Sequence, residues 1–409
     1  GWSDMTGAHI GVWSGARPSR LQFSAVMFVG VTAIMIAGLQ PLLLGTLAHE
    51  GRLSPTQIGQ AATAELLAMG LAAFVSGAAL KPERLNLIAI VASLALAGID
   101  VATPYVQGDM ITLVRGLAGL PSGVLMWITI ALIARTPTPE RWSGVYLTVQ
   151  TLAQFVMATA LSATVVPTFG SDGGWFALAG FCVVTAVVAL AIPDSYAPLP
   201  KTESNSSLPG VRGWFALVSA FLYSAFTIGV WVYAEPLSKQ AGHDPGITGT
   251  AVSISLACQV AGGAAATLLA GRINWLWTTI VCAALNVGVL IGFYALPGPE
   301  AFLVLSGAFG FLWLFVLPFL VPMVIEADPT RRAAVLIGGA QVLGGSFGPF
   351  FASMLVTDVD SRGAVLFGGA MAGGNEATEQ TEAVETAGKA LDPAATGEIT
   401  AAPERARLG

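Results

Sequence analysis

The chain has 409 residues, 55% of them hydrophobic and only 10% charged. Ordinary soluble domains carry about 25% charged residues, and a soluble chain this long would split into domains with charged surfaces. Charge this sparse argues against a soluble enzyme and for a polytopic membrane protein. The net charge of −6 is unevenly placed: from Asn375 onward seven acids face three bases, which leaves the body at only −2. No basic footprint for nucleic acid is present.

Cys182, Cys258 and Cys282 all lie in apolar runs at no metal-ligand spacing and read as packing residues. His9, His49 and His243 lie outside those runs. There is no zinc motif, P-loop, nucleophile elbow or dinucleotide fingerprint in a usable context. This removes most enzyme classes and an ATP-driven pump within the chain. No cofactor or metal is implied.

A helix needs about 20 apolar residues to cross a bilayer. Eleven such runs follow in order, at about 21–45, 55–80, 85–104, 110–134, 142–167, 174–192, 211–235, 246–270, 273–295, 300–324 and 333–357. A twelfth, near 362–374, is short for a crossing. The first run follows Arg17 and Arg20, is too long for a signal-peptide core and is expected to stay as a helix. Ser54-Pro55-Thr56-Gln57 reads as a capping box with proline at the first helical position, and Asp109 as a helix cap. From Asn375 the chain is Ala, Glu, Thr and Pro without an apolar face, which predicts a disordered acidic tail over 375–409.

Lysine and arginine positions predict orientation. With the N-terminus cytoplasmic, Arg17, Arg20, Lys81, Arg84, Arg135, Arg141, Lys201, Arg212, Arg272, Arg331 and Arg332 share one side. Arg52, Lys239 and Arg362 fall on the other, and Arg115 is left inside a span. Asn205-Ser206-Ser207 matches a glycosylation sequon, but its loop falls on the cytoplasmic side, so chance is the better reading.

A Pro- and Ser-rich linker between Asp194 and Gly210 bisects the spans. The expected organisation is a cytoplasmic segment 1–20, a six-helix bundle 21–192, a linker 193–210 and a second bundle 211–374. Pro55-x-x-x-Gly59 and Pro245-x-x-x-Gly249 lie 190 residues apart. Arg141 with Gln150 and Arg332 with Gln341 repeat at an offset of 191, near which Gly119 also maps to Gly310. Several matches near one offset point to a tandem duplication of six spans. The fold class is therefore an all-α membrane protein of twelve transmembrane helices in two six-helix pseudo-repeats, the twelfth short or atypical.

Six plus six spans, a cytoplasmic central loop and the fourth-span pattern Arg115-Gly116-Leu117-Ala118-Gly119-Leu120-Pro121-Ser122-Gly123 resemble the major facilitator superfamily. Asp328 to Arg332, followed by Gln341 and Gly344-Gly345-Ser346-Phe347-Gly348-Pro349, is similar to its tenth and eleventh helices. The resemblance covers about 20–360 and implies a secondary transporter working by alternating access, with a coupling role for Arg115. Two features differ. Lys81 takes the place of an acid in the loop after the second span, and the Gly-x-x-x-Gly-Pro string lies in the eleventh span rather than the fifth.

Ionisable groups inside spans are functional candidates because they are costly. Glu65 lies ten residues past Pro55, about 15 Å deep. It is a proton carrier, a fixed partner of Arg115 or a protonated structural carboxyl. Arg115, about 9 Å below Asp109, would pair with Glu65, bind an anionic group or serve packing. Asp100 and Asp109 read as solvated or capping groups, and Glu235 as a candidate outer gate. Gln150 and Gln341 occupy duplicated positions about 13 Å inside their helices. With Gln154, Gln40 and Gln259 they either line a central cavity or bond helix to helix. Trp127, Trp231 and Trp313 offer faces for a planar ligand or for packing.

These readings predict a monomeric, proton-coupled secondary transporter of a small organic solute, aromatic or carboxylate, in the inner membrane of a bacterial-type cell. Glu65 and Arg115 would couple to protons, and the Gln and Trp residues would touch the solute. The alternatives are efflux of lipophilic cations and a non-transporting assembly or sensor protein.

Overall fold

The structure is a computed structural model describing residues 12–199, 208–269, 271–328 and 332–375. The expected acidic tail beyond Asn375, the sequon and Arg331 lie outside these residues. The described residues form helices joined by short loops, with no strand among them. The helices are α1 Arg20–His49, α2 Pro55–Ala79, α3 Leu85–Ala102, α4 Asp109–Ile133, α5 Pro139–Ala160 and α6 Val166–Val188. After the linker come α7 Val211–Trp231, a short α8 Ala234–Gln240, α9 Ile247–Leu269, α10 Trp275–Tyr294, α11 Pro299–Ala327 and α12 Arg332–Ser353. A last helix, α13, covers 362–375.

Nine segments among the described residues are long and apolar enough to cross a bilayer. One of them, Arg141–Ala191, is 51 residues long. It is one helical stretch only by hydrogen bonding, because Gly170 leaves the helix at φ +69°. Before Gly170 the chain climbs along α1: Trp142 lies beside Phe23, and Gln154 bonds Ile34. Beyond it the order runs backward, with Ser171 bonded to Glu50 and Thr185 to Thr32. The chain thus folds back at Gly170, where glycine is needed for the positive φ.

Large apolar side chains stand exposed along outward faces, such as Leu87, Val91 and Leu94 on α3. Exposed apolar surface on this scale needs lipid around it. The protein is a multi-pass membrane protein.

Helix starts follow local chemistry. Ser54 and Gln57 form the expected capping box, and Ser19 with Gln22 forms another at the start of α1. Asp109 is not the cap of α4: Gly108, at φ +60°, takes that position, and Asp109 instead accepts a hydrogen bond from Gln57.

Within each half the helices meet where glycine removes side-chain bulk. A Cβ at Gly119 on α4 would strike the Glu65 carbonyl on α2, and one at Gly123 the Met69 carbonyl. In the second half a Cβ at Gly310 on α11 would strike the Ser255 carbonyl on α9. Gly119 and Gly310 differ by 191, and Glu65 and Ser255 by 190, so one seam recurs in both halves at the duplication offset. Gly344 and Gly348 on α12 seat the carbonyls of Phe221 and Ala225 on α7 in the same way. The Gly-x-x-x-Gly-Pro string is thus a backbone-to-backbone seam of the second half.

The two halves touch toward the end where α1 finishes. Thr63 on α2 donates to the Ser346 carbonyl at 2.5 Å and accepts from the Phe350 amide at 3.0 Å. It thereby engages both members of one i→i−4 pair of α12, a side-chain insertion that makes a bend inexpensive. Thr159 on α5 bonds Ser253 on α9, and Tyr233 donates to the Pro55 carbonyl. The close approach of Gly59 to the Pro349 carbonyl seals this end further.

Candidate functional site

A cavity of about 190 Å³ lies between the halves, lined by α1, α2, α5, α7, α9 and α11. Its polar lining is Gln40, Gln150, Thr151, Gln154 and Gln259, and its aromatic lining is Trp231 and Trp313. Six of the residues picked out by type and depth thus meet at one place. Two do not. Gln341, half-buried on α12, and Trp127, buried beside Gly77, are not among the residues lining the cavity. Gln341 is turned away by rotation about the α12 axis, whereas Trp127 lies at the level of Gly77, eleven residues along α2 from the cavity-lining Leu66.

The cavity wall is built by local chemistry. Pro41 inside α1 has no N–H, so the carbonyl four residues earlier, on Ala37, loses its helical partner. The Trp231 indole N–H fills that vacancy at 3.1 Å, joining α7 of one half to α1 of the other. Gly38 leaves room for the Gln154 side chain, whose amide donates to the Ile34 carbonyl at 2.9 Å. Trp231 and Trp313 meet edge to face, with centroids 5.6 Å apart. Tyr223 donates to the Trp313 carbonyl and fixes α11 there.

A second cluster lies inside the first half. Arg115 is 1% exposed and Glu65 0%. The guanidinium grips Glu65 in a fork, with Nε to Oε2 at 3.0 Å and Nη2 to Oε1 at 2.5 Å. Its Nη1 bonds Asp100 at 2.7 Å and Thr103 at 3.2 Å. The Trp175 ring lies 4.3 Å from the guanidinium carbon, and the Cys182 thiol donates to the other Asp100 oxygen. Two carboxylates therefore share one guanidinium. With every group ionised, one negative charge remains uncompensated in a dry site, which is costly.

Asp100 is thus corrected from a solvated group to a buried ion-pair partner, 2% exposed. Sequence reasoning also missed Thr103, Trp175 and Cys182. A signal for Asp100 existed: it sits two residues from the end of α3 and Arg115 six from the start of α4, within reach of a long side chain. Glu65 is not among the cavity-lining residues, but the next residue, Leu66, is.

A third cluster lies at the end where α1 finishes. Glu235 on α8 is buried against Gly45 of α1, with its Oε1 3.6 Å from His49 Nδ1. Burial pushes its carboxyl up to about 7 from an ordinary 4.5, while Lys239 pulls it down. The folded protein therefore holds a proton here that the unfolded chain has released. The stabilisation is complete below pH 4.5 and is lost as pH rises through about 7. The melting temperature is expected to fall by a few degrees across that window, and Glu235→Gln to flatten the fall. A differential-scanning fluorimetry series over pH checks both. An unchanged slope in the variant would assign the effect to other groups.

The chain has the major facilitator fold. It superposes on a mutant of the nucleoside transporter NupG with a TM-score of 0.68 over 89% of this chain and 99% of that one, at 12% identity. A bacterial homologue of the human lysosomal transporter Spinster, inward-facing and unoccupied, gives a TM-score of 0.60 at 11% identity over 90% and 95% of the chains. Its inward-facing occupied form gives 0.56 at 11% identity over 91% and 96%. These neighbours are transporters, not enzymes. No known sequence family and no curated protein sequence matches the chain.

Proposed function

We propose that the protein is a proton-coupled secondary transporter of a small organic solute, with twelve crossings and a cytoplasmic N-terminus in the inner membrane. Its bundles, 21–192 and 211–374, rock as a monomer around the central cavity. The halves are latched at the end opposite the N-terminus by Thr63, Thr159 and Tyr233, which corresponds to an inward-facing state.

The observation that carries this reading is the buried pair of carboxylates on one guanidinium. A proton on Glu65 or Asp100 balances the charge, and its loss leaves Arg115 gripped by two anions. Glu65 shares α2 with Thr63, which latches the halves, and with Leu66, which lines the cavity. A change of charge at Glu65 therefore acts on a helix that touches both the solute site and the seal. That is the physical requirement for coupling a proton to alternating access. Efflux of lipophilic cations fits less well, because no carboxylate lines the cavity among the described residues.

Distance measurements between spin labels at the exposed positions Lys81 and Arg272, in a variant with Cys258 replaced and the buried Cys182 and Cys282 kept, test the reading. Lowering the pH from 8 to 5.5 is expected to change the ratio of two distance populations by about tenfold, equivalent to about 1.4 kcal/mol. Glu65→Gln is expected to remove that response while the fold persists. One pH-independent distance in the parent protein would favour a non-transporting assembly or sensor role.

A further inference from the structure

Gln40 is 0% exposed, yet neither its Oε1 nor its Nε2 meets a hydrogen-bond partner among the described residues. Gln259, on the opposite half and 5% exposed, has an unpartnered Nε2. Both belong to the wall of the central cavity, with these amide atoms just behind its surface, so a ligand meets them once the side chains turn inward. An unsatisfied buried polar group costs about 1–3 kcal/mol, so such groups call for a partner that arrives from outside. One amide on α5 behaves differently: Gln154 is spent on the Ile34 carbonyl.

We propose that the cavity binds an uncharged, planar ligand carrying a hydrogen-bond donor and an acceptor on one edge, as a lactam ring does. Three observations converge. A carboxamide presents one acceptor and one donor side by side, and it pairs in two-pronged fashion with an edge of complementary order, as glutamine does with adenine. Among the described residues the cavity lining holds no Asp, Glu, Lys or Arg, so a charged ligand would enter without a counter-charge. Trp231 and Trp313, held edge to face, offer an aromatic corner for a flat ring. The carboxylate solute expected from sequence is set aside on the same ground. The proposal rests on the transport reading only in taking this cavity as the solute site.

Isothermal titration of the full-length purified protein tests it with four probes: uracil, 1,3-dimethyluracil, benzoate and tetraphenylphosphonium. Uracil is expected to bind, and 1,3-dimethyluracil, which keeps the ring but loses the N–H donors, to bind at least about tenfold more weakly. Benzoate and tetraphenylphosphonium are expected to bind more weakly still. Gln40→Leu is expected to bring the ratio between the two uracils toward one, chiefly by weakening uracil. Gln259→Leu, on the other half, supplies a second reading if Gln40→Leu does not fold. Equal binding of the two uracils, tighter binding of either charged probe, binding of none of the four, or full discrimination in both glutamine variants would overturn the proposal. A pH-driven change between Lys81 and Arg272 would survive any of those results, so the two readings fail separately.

Discussion

Arg115→Met is expected to lose about 3–5 kcal/mol of stability, because it leaves two buried carboxylates with no cation. At neutral pH the variant should yield little folded protein in mild detergent. The same argument gives a rescue. Adding Glu65→Gln and Asp100→Asn to Arg115→Met removes both stranded charges, and the triple variant should recover most of the folded yield. Glu65→Gln alone should be mild, since Arg115 keeps Asp100 at 2.7 Å as a one-to-one pair. Size-exclusion profiles and thermal melts of the series decide the matter. Arg115→Met with parental stability would mean that the cluster is not held by charge.

Gly119→Leu is expected to cost about 3 kcal/mol or more, the upper range for overpacking, because the clash is with main chain. A Cβ at Gly119 meets the Glu65 carbonyl, the Ala68 Cβ and the Met69 amide, none of which can swing aside as a side chain end can. The melting temperature should fall by on the order of 10 °C. Gly310→Leu should do the same, since its Cβ meets the Ser255 carbonyl across the equivalent seam. Gly180, with nothing within 4 Å of its Cβ position, supplies the control. Gly180→Ala should be neutral or stabilising by up to about 1 kcal/mol, through helix propensity. Equal melts for all three variants would remove the packing argument.

The first half of the charged cluster was legible in the chain because an ionisable residue in an apolar run is conspicuous. Glu65 and Arg115 needed only depth to be paired. Asp100 was not legible in that way, since a carboxylate near a helix end has an inexpensive alternative in solvent. Only the packing of α3 and α6 against Arg115, with Trp175 over the guanidinium, takes that alternative away. The duplication behaves similarly. The offset relating Gly119 to Gly310 is visible in sequence, and both glycines do meet a carbonyl. The same offset relates Gln150 to Gln341, and only Gln150 reaches the cavity.

Composition and spacing by themselves determined the solvent, the helical runs, the midpoint linker and the short set of polar residues at membrane depth. Those properties depend on how much apolar length each segment carries, which is written locally. The tertiary structure alone decided which face each polar residue presents. A helix in lipid is apolar on its outer face and its packed face alike, so no amphipathic stripe reports its rotation. The partners of Arg115, the unpartnered amide of Gln40 and the grip of Thr63 on α12 all follow from that rotation, and so from packing between segments far apart in the chain.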